Sequence, residues 1–380
     1  MTSAMPRRET YLDWNATTPL RPEAAAAIAA ASALCGNASS VHRWGRRGRQ
    51  EVERARAAVA ALVGASPDGV VFTSGGSEAN HLALLGGGRA RVLVSAVEHG
   101  SVLQAAPAAE RIGVDRDGVV DLDRLDRQLA AEPSHPALVS VMLANNETGV
   151  LQPVRAIAAL AHRHGALFHC DAVQAAGKIP VALGDVGADF VSLSAHKLGG
   201  PSGIGALVLG HGAEVTPQLR GGGQEHGRRA GSENLPGIAG FAAAATAAAA
   251  AIADYDRVAR LRDRLEAAIV GAVSDAAIIG AHVARLPNTS AIAMPGVPAE
   301  TQVIALDLDG VMVSAGAACS SGKVGPSHVL AAMGLPREIA ETTIRVSLGW
   351  STDEADIAHF IEAWTALCRR HRARQEARAA

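Results

Sequence analysis

Residues 166–197 read ALFHCDAVQAAGKIPVALGDVGADFVSLSAHK. Two short apolar runs, 166–170 and 190–193, each close on polar residues. The first ends at Asp171 with Gln174 three positions on; the second ends in Ser194-Ala195-His196-Lys197. Continuous apolar runs of this length read as strands buried on both faces of a parallel sheet. The pattern extends outward to runs at 70–73, 91–95, 138–143 and 206–209, separated by helical stretches at 51–63, 77–85, 122–130 and 154–164. The fold class predicted is α/β, a mostly parallel central sheet with helices on both faces. A long helical pattern from 237 to about 273 leads into a smaller α/β C-terminal unit, with strands near 289–293, 311–315 and 344–348. The boundary is placed near residue 257, inside that helix.

The 380 residues are 48% apolar but only 3% aromatic, so the core must be aliphatic and alanine-rich. A net charge of −2 gives no basic surface for nucleic acid and none for a membrane. Four scattered cysteines, Cys35, Cys170, Cys319 and Cys368, do not form a disulfide framework. Cys35 and Cys368 read as apolar helix residues. The N-terminus lacks a signal-peptide core. The apolar stretch 235–253 contains Pro236, Gly237 and Gly240 and runs into Asp254 and Asp256, which reads as a buried helix rather than a membrane span. A cytoplasmic, reduced protein is expected.

The residues just past each strand carry more information than the strands. Residues 70–73 lead into Ser74-Gly75-Gly76-Ser77-Glu78, 91–95 into Glu98-His99, and 138–143 into Asn145-Asn146-Glu147. The carboxyl ends of parallel strands form the ligand crevice in open α/β sheets. The chain has three lysines, Lys178, Lys197 and Lys323. Lys197, at a strand end and followed by Gly199-Gly200-Pro201-Ser202-Gly203, is placed to form a Schiff base. Asp171 is the matching carboxylate for a pyridoxal-phosphate ring nitrogen, and Gln174 can donate to the ring oxygen; the plainer alternative for Asp171 is a helix N-cap. Gly76 and Ser77 open a helix and suit a phosphate. His99 is placed to lie on the ring and shuttle protons, with a structural role as its alternative. Arg345 points away from Ile344, Val346 and Leu348; it either takes a substrate carboxylate or faces water from an edge strand. Cys319 lies among small residues, and nearby Lys323 favours its thiolate. His169-Cys170-Asp171 alternates across the faces of a strand, so no metal site is expected.

Together these residues resemble a known family. The segments Ser194-Ala195-His196-Lys197, Asp171-Ala172-Val173-Gln174, Asn145-Asn146-Glu147-Thr148-Gly149 and Ala318-Cys319-Ser320-Ser321 resemble the cysteine desulfurases of the NifS/IscS group. So do Tyr11 to Pro19, Gly36 to His42 and Arg345-Val346-Ser347-Leu348-Gly349. The resemblance spans residues 11 to about 350. It implies a fold-type I pyridoxal-phosphate homodimer, with residues 15–257 as the large domain and 1–14 with 258–380 as the small domain. It implies that Lys197 carries the cofactor, Asp171 pairs with the ring nitrogen, and Gln174 meets the ring oxygen. It further implies that Asn146 lies by cofactor and substrate carboxylate, that Gly76, Ser77, Ser194 and His196 bind the phosphate, and that Ser232 reaches that phosphate from the partner subunit. Ser77 and Ser232 stand where a threonine is usual, and His226 replaces a common arginine. The implied reaction takes L-cysteine to L-alanine, with sulfur passing through a persulfide on Cys319 to an acceptor such as an iron–sulfur scaffold. The alternatives are a selenocysteine lyase, an aminotransferase, or a non-enzymatic sulfur carrier.

Overall fold

The computed structural model describes residues 8–316 and 327–379. Its larger sheet has seven strands, in the spatial order Val70–Thr73, Gly205–Leu209, Phe190–Ser194, Leu167–Asp171, Ala137–Ser140, Arg91–Ser95, Glu110–Ile112. Gly205–Leu209 runs antiparallel to both neighbours, and the other pairs are parallel. The remaining six strands therefore point the same way, and their carboxyl ends share one edge.

Both faces of this sheet are covered, which is why its strands read as unbroken apolar runs. Phe72, Val139, Phe168, Val191 and Val208 pack with Val59, Ile157 and Phe241 of the helices Arg43–Leu62, Val154–Arg163 and Leu235–Ala250. Their strand neighbours Val71, Leu138, Phe190 and Leu207 pack on the opposite face with Leu82 and Val102 of Gly76–Gly86 and Gly100–Ala105. The switch of face between adjacent residues is the period of two of a pleated strand.

A second, antiparallel sheet has the order Ser314–Ala315, Thr343–Ser347, Thr289–Ala293, Ala277–Ile278. Ile292, Ile344 and Val346 pack there against Leu261, Leu265, Ile269, Phe360 and Trp364 of the helices Tyr255–Ala272 and Glu354–Ala379. Thr10–Tyr11 pairs in parallel with Val311–Met312, so the chain's start joins this second unit.

Three expectations change. The helical pattern from 237 to 273 is two helices, Leu235–Ala250 and Tyr255–Ala272, bent by 55° across the turn Ile252–Asp254. The first buries Phe241 and Ala244 in one core, and the second buries Tyr255 and Val258 in the other. One straight rod could not face both. The strand read at 311–315 is two short strands with different partners, Thr10–Tyr11 and Thr343–Ser347. Cys35 is not a helix residue: the helix Pro22–Ser32 has ended, and Cys35 is exposed. Cys368 is buried in the second core. Among the described residues, no single helix is long and apolar enough to cross a membrane.

Candidate active site

All five strand ends singled out in the sequence contribute to one cavity of about 310 Å³. Its wall includes Gly76 and Ser77, His99, Asn146, Asp171 and Gln174, and Ser194, His196 and Lys197. Arg345 enters from the second sheet, and Asn15 and Ala16 from the N-terminal segment.

Lys197 follows the strand Phe190–Ser194 in a short turn, Ala195–Lys197. Its Nζ donates to the carbonyls of Asn15 at 2.5 Å and Ala16 at 2.8 Å. Lys178 is fully buried outside the cavity wall, so of the two described lysines only Lys197 lines it. Cys319, Lys323 and the small residues around them lie outside the described residues.

Asp171 ends the strand Leu167–Asp171, and both its carboxylate oxygens are engaged. Oδ1 accepts from the Val173 N–H at 2.9 Å, and Oδ2 from Asn80 Nδ2 at 2.8 Å. The local bond is of the capping kind weighed in the sequence, but the carboxylate also borders the cavity. Asn80 continues the chain of bonds by donating to Ser101 Oγ at 2.8 Å, which meets His99 Nδ1 at 2.9 Å. The Ser101 N–H also donates to His99 Nδ1. Nδ1 is therefore an acceptor, which assigns the proton of the neutral ring to Nε2. Burial lowers the basicity of His99, opposed by Asp171 and reinforced by Lys197 and His328, so the neutral ring is favoured.

Also on the cavity wall, Gly76 begins the helix Gly76–Gly86. A Cβ on Gly76 would meet Val173 Cγ2 at 2.9 Å, and Gly75 before it has φ +155°. Glycine is favoured at position 75 by its φ and at position 76 by the lack of room for a Cβ. Ser194 lies beside Gly76, its Oγ 3.9 Å from where a Cβ would sit, and burial with the nearby Lys197 and Lys178 pushes His196 down to about 4.

Arg345 is a central residue of its sheet, between Ser314 and Ala291, and is buried. This removes the edge-strand alternative. Its Nη2 pairs with Asp13 Oδ1 at 2.6 Å, and its Nη1 donates to the Asn146 carbonyl at 3.2 Å. Its Nε is buried with no hydrogen-bond partner among the described residues.

The structure also separates residues that the motifs had run together. Glu98 and Glu147 are absent from the cavity wall. Glu98 is buried, its Oε1 accepts from the Met142 N–H at 2.7 Å, and burial pushes its carboxyl well up. Glu147 accepts from Ser327 Oγ at 2.5 Å and is also pushed up by burial. Asn145 shapes the turn, its Oδ1 accepting from the N–H groups of Glu147 and Thr148. His169 bridges Ser140 Oγ and Ser192 Oγ as a core imidazole. Cys170 faces the core, and burial pushes its thiol well up. Ser232 is not at the cavity; it lines a separate cleft with Thr73, Gly203 and Arg229.

Three contributors have no clear signal in the sequence. Asn80 sits one helical turn after Gly76, the spacing that puts both on one face. Ser101 follows His99 by two. Asn15 lies within the Tyr11 to Pro19 motif, where nothing local marks it out. It is a hub: Oδ1 accepts from Lys178 and Asn288, Nδ2 donates to Thr289 Oγ1 and the Asn146 carbonyl, and its own carbonyl accepts from Gln174. Farther along the segment, Thr18 Oγ1 donates to the His196 carbonyl at 2.8 Å and Arg21 Nε to the Leu198 carbonyl at 2.9 Å.

The donor set fits pyridoxal phosphate. A lysine amine, a carboxylate with both oxygens fixed, a glycine-lined helix start that a Cβ would fill, and a buried unpartnered guanidinium nitrogen converge on a cavity of suitable size.

The sequence profile of the family described as Aminotransferase class-V matches residues 10–360. A cysteine desulfurase of Cereibacter sphaeroides is 45% identical over 367 residues, 93% of this chain and 94% of that protein. The cysteine desulfurase IscS of Dictyoglomus turgidum is 39% identical, over 94% and 93%. The X-ray structure of a NifS-like protein from Rickettsia africae superposes with a TM-score of 0.85 at 35% identity, over 94% of this chain and 98% of that one. By this match over nearly its whole length, the chain belongs to the class-V aminotransferase family of pyridoxal-phosphate enzymes, in its cysteine desulfurase group.

Proposed function

We propose that this protein converts L-cysteine to L-alanine and takes the sulfur onto Cys319 as a persulfide. The observation that carries the reading is the convergence of Lys197, Asp171, Gln174, His99 and Arg345 on one cavity. The relatives' names supply the substrate.

Bound pyridoxal phosphate supplies a protonated ring that accepts the electron pair of the substrate's Cα–H bond. Asp171, immobilised by Asn80 and Val173, is the carboxylate for the ring nitrogen. Gln174, on the cavity wall with its Oε1 bonded to Lys178, would offer its Nε2 to the ring oxygen. Gly76, Ser77, Ser194 and His196 take the phosphate. Lys197 Nζ holds the cofactor in the resting enzyme and then moves the Cα proton. His99, with its proton on Nε2, is a second proton donor at the cavity. Arg345 and Asn146 orient the substrate carboxylate; because Asp13 already holds Nη2, Arg345 offers Nε and the rest of Nη1. In the sulfur step the substrate's C–S bond breaks, its sulfur bonds to Cys319 Sγ, and the remaining carbons take up protons and leave as alanine.

The same reading places two copies in a dimer. Ser232 lines a separate cleft in its own chain, which supports a role for it at the phosphate of a partner subunit. The separate apolar cores support a large unit of 15–257 and a small one of 1–14 and 258–380, with Tyr255 at the boundary already packed in the second core. Delivery of sulfur to an acceptor such as an iron–sulfur scaffold, in the cytoplasm, completes the proposal.

The test is Cys319→Ala. It should bind the cofactor, change its absorption on adding L-cysteine, and release almost no alanine or sulfide. The wild type without reductant should gain one sulfur on the Cys319 peptide in mass spectrometry. Normal desulfuration by Cys319→Ala would move a plain lyase ahead.

A further inference from the structure

We propose that Lys178 is a positioning residue of the cofactor site: from beneath the cavity it fixes which end of the Gln174 amide faces the ring oxygen. The inference rests on the placement of Gln174 beside that oxygen in the proposed function.

Lys178 is 2% exposed, in a chain with only three lysines. Its Nζ donates to Gln174 Oε1 at 2.9 Å and to Asn15 Oδ1 at 3.0 Å. Among the described residues no carboxylate is bonded to it; the charged groups that bear on it are the cations Lys197 and Arg345, which add to burial in disfavouring its charge. A lysine kept in such a place for packing alone would be better replaced by an aliphatic residue. The amine instead supplies two donors to two amide oxygens.

The consequence for Gln174 is specific. A glutamine amide can present either its oxygen or its nitrogen, and the two orientations are nearly the same in shape. Lys178 meets the amide with a donor, so Oε1 must turn toward Lys178 and Nε2 away. Nε2 then donates one hydrogen to the Asn15 carbonyl at 3.0 Å, with Gln174 on the cavity wall. Its second hydrogen remains for the ring oxygen. The flipped amide would set two acceptors against each other at the Asn15 carbonyl and would leave the Lys178 N–H without the Oε1 acceptor it now has. Asn15 is fixed by the same amine, because its Oδ1 accepts from Lys178 and Asn288 while its Nδ2 donates to Thr289. One buried amine thereby sets the direction of hydrogen bonds in both residues.

A donor on the ring oxygen weakens its hold on the proton shared with the Lys197–cofactor linkage. Loss of that donor should raise the pH at which the linkage deprotonates, an event followed by absorbance in the resting holoenzyme without turnover. Gln174→Met should raise this midpoint by about one pH unit, the worth of one ordinary hydrogen bond. Lys178→Met should raise it by part of that amount, since the amide is then held in its orientation by the Asn15 carbonyl alone. In the double variant Lys178→Met should add nothing to Gln174→Met, because its effect passes through that amide. An equal shift from Lys178→Met in both backgrounds would mean that the amine acts by charge alone and would overturn the proposal. An unmoved midpoint in Lys178→Met beside a shifted Gln174→Met would do the same. An unmoved midpoint in Gln174→Met would overturn the underlying placement of Gln174, and the proposal with it. If Lys178→Met does not fold, Lys178→Gln goes through the same cycle. It should give a shift that vanishes in the Gln174→Met background; persistence there overturns the proposal.

Discussion

The carboxyl edge of the large sheet and the N-terminal segment from Thr10 to Arg21 both build the cavity, in opposite ways. At the sheet edge, position comes from regular geometry. Asp171 and Ser194 sit where they do because Leu167–Asp171 and Phe190–Ser194 pair in parallel, with Asp171 opposite Ser192. The N-terminal segment has only the two-residue strand Thr10–Tyr11, and its side chains do the positioning. Asp13 holds Arg345, Asn15 ties Lys178 and Gln174 to Asn288 and Thr289, and Thr18 and Arg21 bind the carbonyls of the Lys197 turn. The sheet decides which groups face the cavity; the segment decides how the two sheets are held across it.

The comparison can be broken first at Arg345, where the second sheet reaches the cavity. Arg345→Ala should weaken cysteine binding on the order of 1000-fold, because a carboxylate loses a buried charge-assisted partner. Cofactor occupancy should be retained, as the cofactor's groups stand on the other sheet. An unchanged cysteine affinity would remove Arg345 from substrate binding and leave it a tie for Asp13.

The sheet side is sharpened by pH. Burial pushes His169 down to about 4 from 6.5. The unfolded chain then takes a proton in this window that the folded one refuses. The stability that His169 confers as a neutral ring is intact above pH 6.5 and lost as pH falls toward 4, by on the order of 3 kcal/mol. Urea denaturation at a series of pH values checks this. His169→Asn, which does not titrate there, should have a shallower acid slope; an equal slope would assign the loss elsewhere.

The smallest effect is expected on the segment side. Asn15→Ala leaves Lys178 one acceptor and Asn288 one fewer, at a cost of about 2 kcal/mol in stability. The sharper readout is that substrate affinity and the linkage midpoint should both move, since Asn15 touches groups on both sheets. A variant that lost stability while both stayed fixed would reduce Asn15 to a packing residue.

Much of the large sheet was legible because its strands are continuous apolar runs and its chemistry-bearing residues come directly after them. Asp171, Ser194 and Lys197 could be placed by counting from strand ends. Glu98 and Glu147 looked equivalent to His99 and Asn146 in the sequence. Neighbouring residues at a strand end turn to opposite sides, and only the fold assigns the sides. Glu110–Ile112 and Ala277–Ile278 were not legible because strands this short carry too little periodicity to register.

Residue types and order were sufficient by themselves for the α/β class, the single candidate cofactor lysine and the family. These depend on local pattern and on contacts near in sequence. Tertiary structure alone decided that Arg345 is central and paired to Asp13, 332 positions away. It alone bent the 235–272 helical run between two cores, and it alone placed Lys178 beneath Gln174 with Asn15 as the shared acceptor. Hydrogen-bond partners across such separations are set by how the two sheets close on each other. No spacing within the chain encodes that closure.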